Sequence, residues 1–200
     1  MKKRRRAMAP RATSACTATH DNAPRRAPVP SYTAHMAYAH YVLSGLNLGL
    51  GYAEALTTSI PADKFAAFPA KDVVCPAFYI GHLGLYPNRA LTLLGRDDLH
   101  TAVPEGWTER FKAGVTAQPG EYPSKEALLK QFFDGYRTVA KALETAPDAV
   151  FAEENPAEGR FKEMFPKKGG AITFLCIGHM QMHLGQISAW RRVMGLGSAM

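Results

Sequence analysis

The sequence predicts an all-α fold, a four-helix bundle with long connecting loops. Three observations carry that expectation. Apolar residues recur at about every third or fourth position in four separate runs, the spacing of one helix face. No stretch between them alternates apolar and polar residues in the manner of a strand. The runs are divided by segments rich in proline, glycine and charge, which terminate helices. With 200 residues and 46% hydrophobic content, the chain suits one buried core.

Charge is divided unevenly. Residues 1–30 carry Lys2, Lys3, Arg4, Arg5, Arg6, Arg11, Arg25 and Arg26 against Asp21, a net of +7. The other 170 residues balance 16 basic with 16 acidic side chains. Residues 1–31 are therefore expected to form a disordered basic extension, too poor in apolar surface to order itself. Residues 32–200 are expected to form the helical domain. A neutral domain argues against specific nucleic-acid binding, which needs a basic face. No run reaches the roughly 18 apolar residues of a membrane span, so no membrane partner is expected. The basic segment also lacks the apolar centre of a secretory signal. Cys16, Cys75 and Cys176 have no C-x-x-C spacing and fit a reducing, cytoplasmic setting.

Residues 32–59 read as the first helix, with Met36, Leu43, Leu46, Leu50, Ala53 and Leu56 near helical spacing and Pro61 closing the run. Gly45, Gly49 and Gly51 weaken it but leave room for a packed neighbour or a ligand. His35, His40, Asn47 and Glu54 fall on its polar side, expected to be a solvated face. Residues 63–74 connect to a second helix, which starts at Pro76, a residue suited to the first helical position, and runs to Leu94. Pro87 should kink it. On this helix Phe78, His82, Tyr86, Arg89 and Leu93 share one face, expected to point inward. Residues 95–123 form a long crossover of the kind that often serves as a lid, pinned by Trp107 and Phe111. Ser124 caps a third helix reaching Thr145, with Leu128, Phe132, Tyr136, Val139 and Leu143 as its core stripe. Residues 147–170 form a further loop.

The fourth run, AITFLCIGHMQMHLGQISAWRRVM (residues 171–194), carries the chemistry. Wound as a regular helix, it sets Ile172, Leu175, His179, His183, Gln186, Trp190 and Val193 within about 40° of one line. Two imidazoles, an amide and an indole in an apolar seam each need a partner. Histidines four residues apart stand one turn apart and can reach one metal ion. His82 on the second helix supplies a third nitrogen, and three imidazoles with an open position are a catalytic rather than a structural ligand set. Cys176 is either a spare ligand or a small buried hydrophobe. Arg191 and Arg192 suit the negative end of the helix they close. No Glu-x-x-His pair appears, which disfavours a di-iron carboxylate site.

GHLGLYPNRALTLLG (81–95), FKAGVTAQPGEYPSKEALL (111–129) and ITFLCIGHMQMHLGQISAWRRVMGL (172–196) resemble the DinB-like superfamily of DinB/YfiT-type metalloproteins. The similarity spans about residues 36–197, and H-x3-H-x2-Q followed by WRR is its most specific part. The resemblance implies a four-helix bundle in which one histidine of the second helix and two of the fourth bind a divalent metal. Carried onto this chain, these are His82, His179 and His183. Some relatives are thiol-dependent S-transferases or isomerases using bacillithiol, mycothiol or glutathione; others form the iron-binding part of sulfoxide synthases. Those synthases carry H-x3-H-x-E, and Gly185 stands at the glutamate position, which counts against that chemistry.

Two functions from different classes follow as expectations. One is a metal-dependent transferase of the thiol S-transferase type, or a hydrolase, acting on a small-molecule substrate through a Zn, Ni or Fe ion, with a low-molecular-weight thiol as co-substrate. The other is a non-catalytic, stress-associated protein that binds metal or ligand. Gln186, as an orienting group, and Arg89, as a contact for an anionic substrate, are the catalytic candidates. Exposed apolar faces of the bundle leave a homodimer open.

Overall fold

The computed structural model describes residues 37–199. The basic extension expected over residues 1–31, together with Cys16, His35 and Met36, lies outside them. The described residues are all-α, as expected; their only β pairings are two isolated bridges, Ala70 with Val73 and Glu154 with Lys167. No described helix is long and apolar enough to cross a membrane.

Helix α1 spans Ala37–Thr58 and buries Ala39, Val42, Leu46, Ala53 and Leu56, a stripe at helical spacing. His40, Asn47 and Glu54 face outward, so the solvated side expected of this helix is observed. The glycines earn their place on the inner side. A Cβ at Gly45 would come within 2.4 Å of Ile177 Cδ1, and one at Gly49 within 2.7 Å of Met180 Sδ. Both glycines therefore let α1 approach the last helical rod closely, and neither opens a ligand space.

Helix α2 spans Pro76–Leu83 and α3 spans Pro87–Leu93, each with proline at its first turn. The single kinked helix expected over residues 76–94 is in fact two. Pro87 has no N–H to continue the ladder, and the Leu85 and Tyr86 N–H groups instead donate to the His82 and Leu83 carbonyls in tight turns. The break also ends the shared face. His82 is buried, whereas Arg89 is exposed.

The crossover is not featureless: α4 spans Trp107–Phe111, and both of its aromatic ends are buried, so they pin the segment as expected. Asn88 fastens the earlier part, donating to the Thr101 carbonyl and accepting from the Thr101 N–H. Helix α5 spans Lys125–Glu144; Ser124 Oγ accepts the Ala127 N–H at 3.1 Å, and Leu128, Phe132, Tyr136, Val139 and Leu143 are all buried.

The expected loop over residues 147–170 holds two short helices, α6 (Ala149–Ala152) and α7 (Gly159–Met164). Buried Asn155 ties their connection together: its side chain donates to the Phe165 carbonyl and accepts the Ala157 N–H. The last rod begins earlier than the apolar run suggests, with α8 at Lys168–Thr173, a π-helical segment at Phe174–Gly178 and α9 at His179–Val193.

The core lies where these rods meet. Helix α5 packs on α1, α2 and α3, and α9 packs on α1 and α2. Trp190, completely buried, donates its indole N–H to the Ala67 carbonyl. Arg191 does more than close its own helix. Its guanidinium, also buried, donates to the Leu56 carbonyl and Ser59 Oγ at the end of α1, and to the Leu196 carbonyl beyond α9. A cation at the carbonyl end of α1 is favoured by the dipole of that helix. Arg192 stays on its own helix, reaching Ser188.

Candidate metal centre

His82 comes from the last turn of α2, and His179 and His183 from the first turns of α9. Their placement depends on the π-helical segment just before His179. A regular helix would put Gln186 and Val193 in the same inward seam as His179, yet both are exposed, and the core-facing line of α9 is Met180, Leu184, Ile187 and Arg191. The wider i→i+5 turn holds one more residue than an α-turn, so the face advances by about one residue. The histidines are thereby set on the flank of the core instead of its centre. His179 is 6% exposed, and His183 is only half-buried.

The three rings converge. Nε2 of His179 stands 3.1 Å from Nε2 of His82 and 3.1 Å from Nε2 of His183. One ligand-type atom from each residue lies within 4.8 Å of the others, near enough to hold a metal ion. The outer nitrogens decide where the protons are. His82 Nδ1–H donates to the Phe111 carbonyl at 2.5 Å, and His183 Nδ1–H donates to Gln186 Oε1 at 2.6 Å. A neutral imidazole has one N–H, so Nε2 of both residues carries a lone pair. A proton on His179 Nε2 can satisfy one of those lone pairs and not both, while its Nδ1 is buried without a partner.

A small cation resolves that surplus of lone pairs. Two nitrogens each about 2.1 Å from one ion stand about 3.0–3.4 Å apart at octahedral to tetrahedral angles, which matches the two separations from His179 Nε2. The residues present therefore fit a divalent metal. Their protonation fits as well. Burial, together with the charges its two imidazole neighbours would carry, lowers the His179 pKa to about 3. Burial takes His183 to about 4 despite the Gln186 hydrogen bond, and it lowers His82 despite the Phe111 carbonyl. All three stay neutral near pH 7, the form in which imidazole binds metal.

Aromatic rings close around the group. Phe78 stacks parallel to His82, Tyr79 stacks on His183, and Phe174 lies 5.5 Å from His179. Tyr86 presents an edge to both His82 and His179, with centroids 5.0 and 4.5 Å away. Residue spacing does not reveal Tyr79 and Phe174, because a stacking contact has no sequence period. The Phe111 carbonyl is equally hidden, being main chain, but glycine in GHLG is its trace. A Cβ at Gly81 would fall 2.6–2.8 Å from three Phe111 ring carbons, so only glycine lets that residue reach His82.

The other candidates separate. Gln186 touches the site through His183. Arg89 does not join the cluster; its guanidinium lies 3.9 Å above the Phe161 ring. Cys176 is fully buried outside the histidine group, and burial pushes its thiol up to about 12, so it behaves as a small hydrophobe.

An all-α chain that brings three imidazoles from two helices to one point defines a helical protein with a histidine cluster near enough to hold a metal ion. More particularly, the chain belongs to the DinB superfamily, whose family model matches residues 46–187 and so includes all three histidines and Gln186. No curated protein matches the sequence.

Proposed function

We propose that the protein is a metal-dependent enzyme of small-molecule chemistry, a thiol S-transferase or a hydrolase, built on a divalent ion held by His82, His179 and His183. The convergence of three ring nitrogens, two of them stripped of protons by their outer hydrogen bonds, carries this reading. Neutral imidazoles suit zinc, nickel or iron. When bound, such an ion supplies Lewis acidity that favours the ionised form of a thiol or a water.

The chain's own residues do the rest. Gln186 and the Phe111 carbonyl hold two rings in one tautomer and one orientation, so the donor atoms need no rearrangement. Phe78, Tyr86 and Phe174 replace solvent around the imidazoles, which strengthens electrostatic interactions there. A low-molecular-weight thiol is the co-substrate in the transferase form of this reading.

Metal analysis of the full chain, wild type and His82→Ala, tests it first. About one ion per chain in the wild type, lost in the variant, is the expected result. Transfer assays with several low-molecular-weight thiols and a panel of hydrolysable small molecules then test turnover. A tightly held ion without turnover across both panels would replace catalysis with metal or ligand binding as the function. Failure to take up zinc, nickel or iron would remove the metal centre itself.

A further inference from the structure

A cavity of about 190 Å³ shares two walls with the histidine cluster. Tyr79, whose ring stacks on that of His183 at 5.2 Å, lines it. So does Gln186, the acceptor of the His183 Nδ1–H. Val74, Trp190 and Val193 supply apolar surface, and Asp72 carries the one charge in the lining.

The polar groups of these walls have capacity to spare. Tyr79 is only 9% exposed, yet its hydroxyl has no hydrogen-bond partner among the described residues. A phenol so covered ordinarily finds one. Gln186 Oε1 uses one of its two lone pairs on His183 and keeps the other. The Asp72 carboxylate meets no cation among the described residues. Its backbone is also unusual: at φ +64° it is the one non-glycine among the described residues in the left-handed region. Such a conformation costs energy and persists only where its surroundings hold it. Here the Val73 N–H closes the turn by donating to the Ala70 carbonyl at 3.2 Å. The turn sets Asp72 between this cavity and a second, of about 540 Å³, since both are lined by Asp72 and Val74. Lys71 lines the second cavity and not the first.

We infer that the smaller cavity holds the ammonium end of a small-molecule substrate, an amine with a compact apolar body, and that Asp72 is its counter-ion. This deepens the metal-centre reading and rests on it for the claim that the bound amine is a substrate. Every wall favours a cation. Asp72 supplies the opposite charge, the Tyr79 and Gln186 oxygens accept N–H donors, and the two aromatic rings attract positive charge. An anion would meet no basic side chain there and would face Asp72. The volume falls below the roughly 300–1,000 Å³ of pockets for drug-sized ligands, so the body of the amine must be compact.

Benzylammonium, with benzyl alcohol as its uncharged counterpart, is the probe. The full chain is loaded with zinc, and binding is followed by calorimetry and by the NMR signals of the Val74 methyls and the Tyr79 ring. Wild-type protein should bind benzylammonium at least about tenfold more tightly than benzyl alcohol, with both sets of signals shifting. Asp72→Asn removes the charge and keeps a residue suited to left-handed backbone. Its far-ultraviolet circular dichroism and zinc content should match the wild type, while the preference for the cation vanishes. Equal binding of both probes by the wild type, an undiminished preference in Asp72→Asn, or shifts that bypass Val74 and Tyr79 overturns the inference. If the amine binds Asp72→Asn normally and is lost only when zinc is removed, its nitrogen sits on the ion; Asp72 is then wrong and the metal centre stands. If the chain takes up no zinc, the metal centre falls, and the preference between the two probes on the same sample still decides the ammonium site.

Discussion

Gly81 and Gln186 show how much of the site rests on residues that would never touch a metal. The Phe111 ring occupies the space that a side chain at position 81 would fill, and its carbonyl fixes the His82 proton. Gly81→Ala should therefore cost about 1–3 kcal/mol through overpacking. It should also weaken metal retention, because the displaced Phe111 carbonyl no longer orients His82. Urea unfolding and metal analysis of the same sample check both effects, and a variant of unchanged stability would show that Phe111 yields freely. Gln186 is exposed, so its replacement separates orientation from folding. Gln186→Leu should leave stability nearly unchanged yet lower metal affinity by about 10–100-fold, as removal of a ligand's outer partner does elsewhere. Competition with a chromophoric chelator measures this, and nitrogen NMR of His183 should report a mixture of tautomers.

At the scale of elements, close approach is the recurring device. A Cβ at Gly135 of α5 would meet the ring of Pro87, the first residue of α3, at 2.6 Å. A proline ring cannot rotate aside, so Gly135→Ala should push α3 off α5 and cost about 1–3 kcal/mol in chemical denaturation. Gly51 of α1 is the control, since a Cβ there meets nothing within 4 Å. Gly51→Ala should stabilise the protein by about 0.5–1 kcal/mol through helix propensity alone. Identical effects from the two substitutions would mean that packing at Gly135 carries no weight. The π-helical segment is the other device: Tyr136 of α5 donates to the Leu175 carbonyl within it, tying the segment that sets the histidines' phase to the core.

Across the whole molecule, the fold turns the Nε2 atoms of three neutral imidazoles toward one another, and a bound ion should satisfy their lone pairs. Metal should therefore raise the unfolding temperature, with about 4 kcal/mol of added stability when free metal is about 1,000-fold above its dissociation constant. A chelator should reverse the shift in the wild type and do nothing to His179→Ala, as followed by calorimetric scans. An unfolding temperature indifferent to metal and chelator would contradict binding to the native state.

Local chemistry made much of this protein legible. Apolar period, the Ser124 cap, the stop at Pro61 and the spacing of His179 and His183 are properties of a few neighbouring residues, and they alone determined an all-α chain with a histidine pair on its last helix. Pairing that couple with His82 was also legible, because both helices carried polar rings where apolar ones were due. Tertiary structure decided the remainder. The tight turns at Leu85 and Tyr86 turn the expected kink at Pro87 into a break, with Pro87 seated against Gly135 of α5 and Arg89 outward. The π-helical turn shifts α9 so that Gln186 meets solvent, while its reach to His183, three residues earlier on the same helix, is local. The Phe111 carbonyl, the stacked Tyr79 and the seat of Arg89 on Phe161 join residues far apart in the chain through main-chain atoms and ring faces, contacts for which a linear pattern of residue types holds no signal.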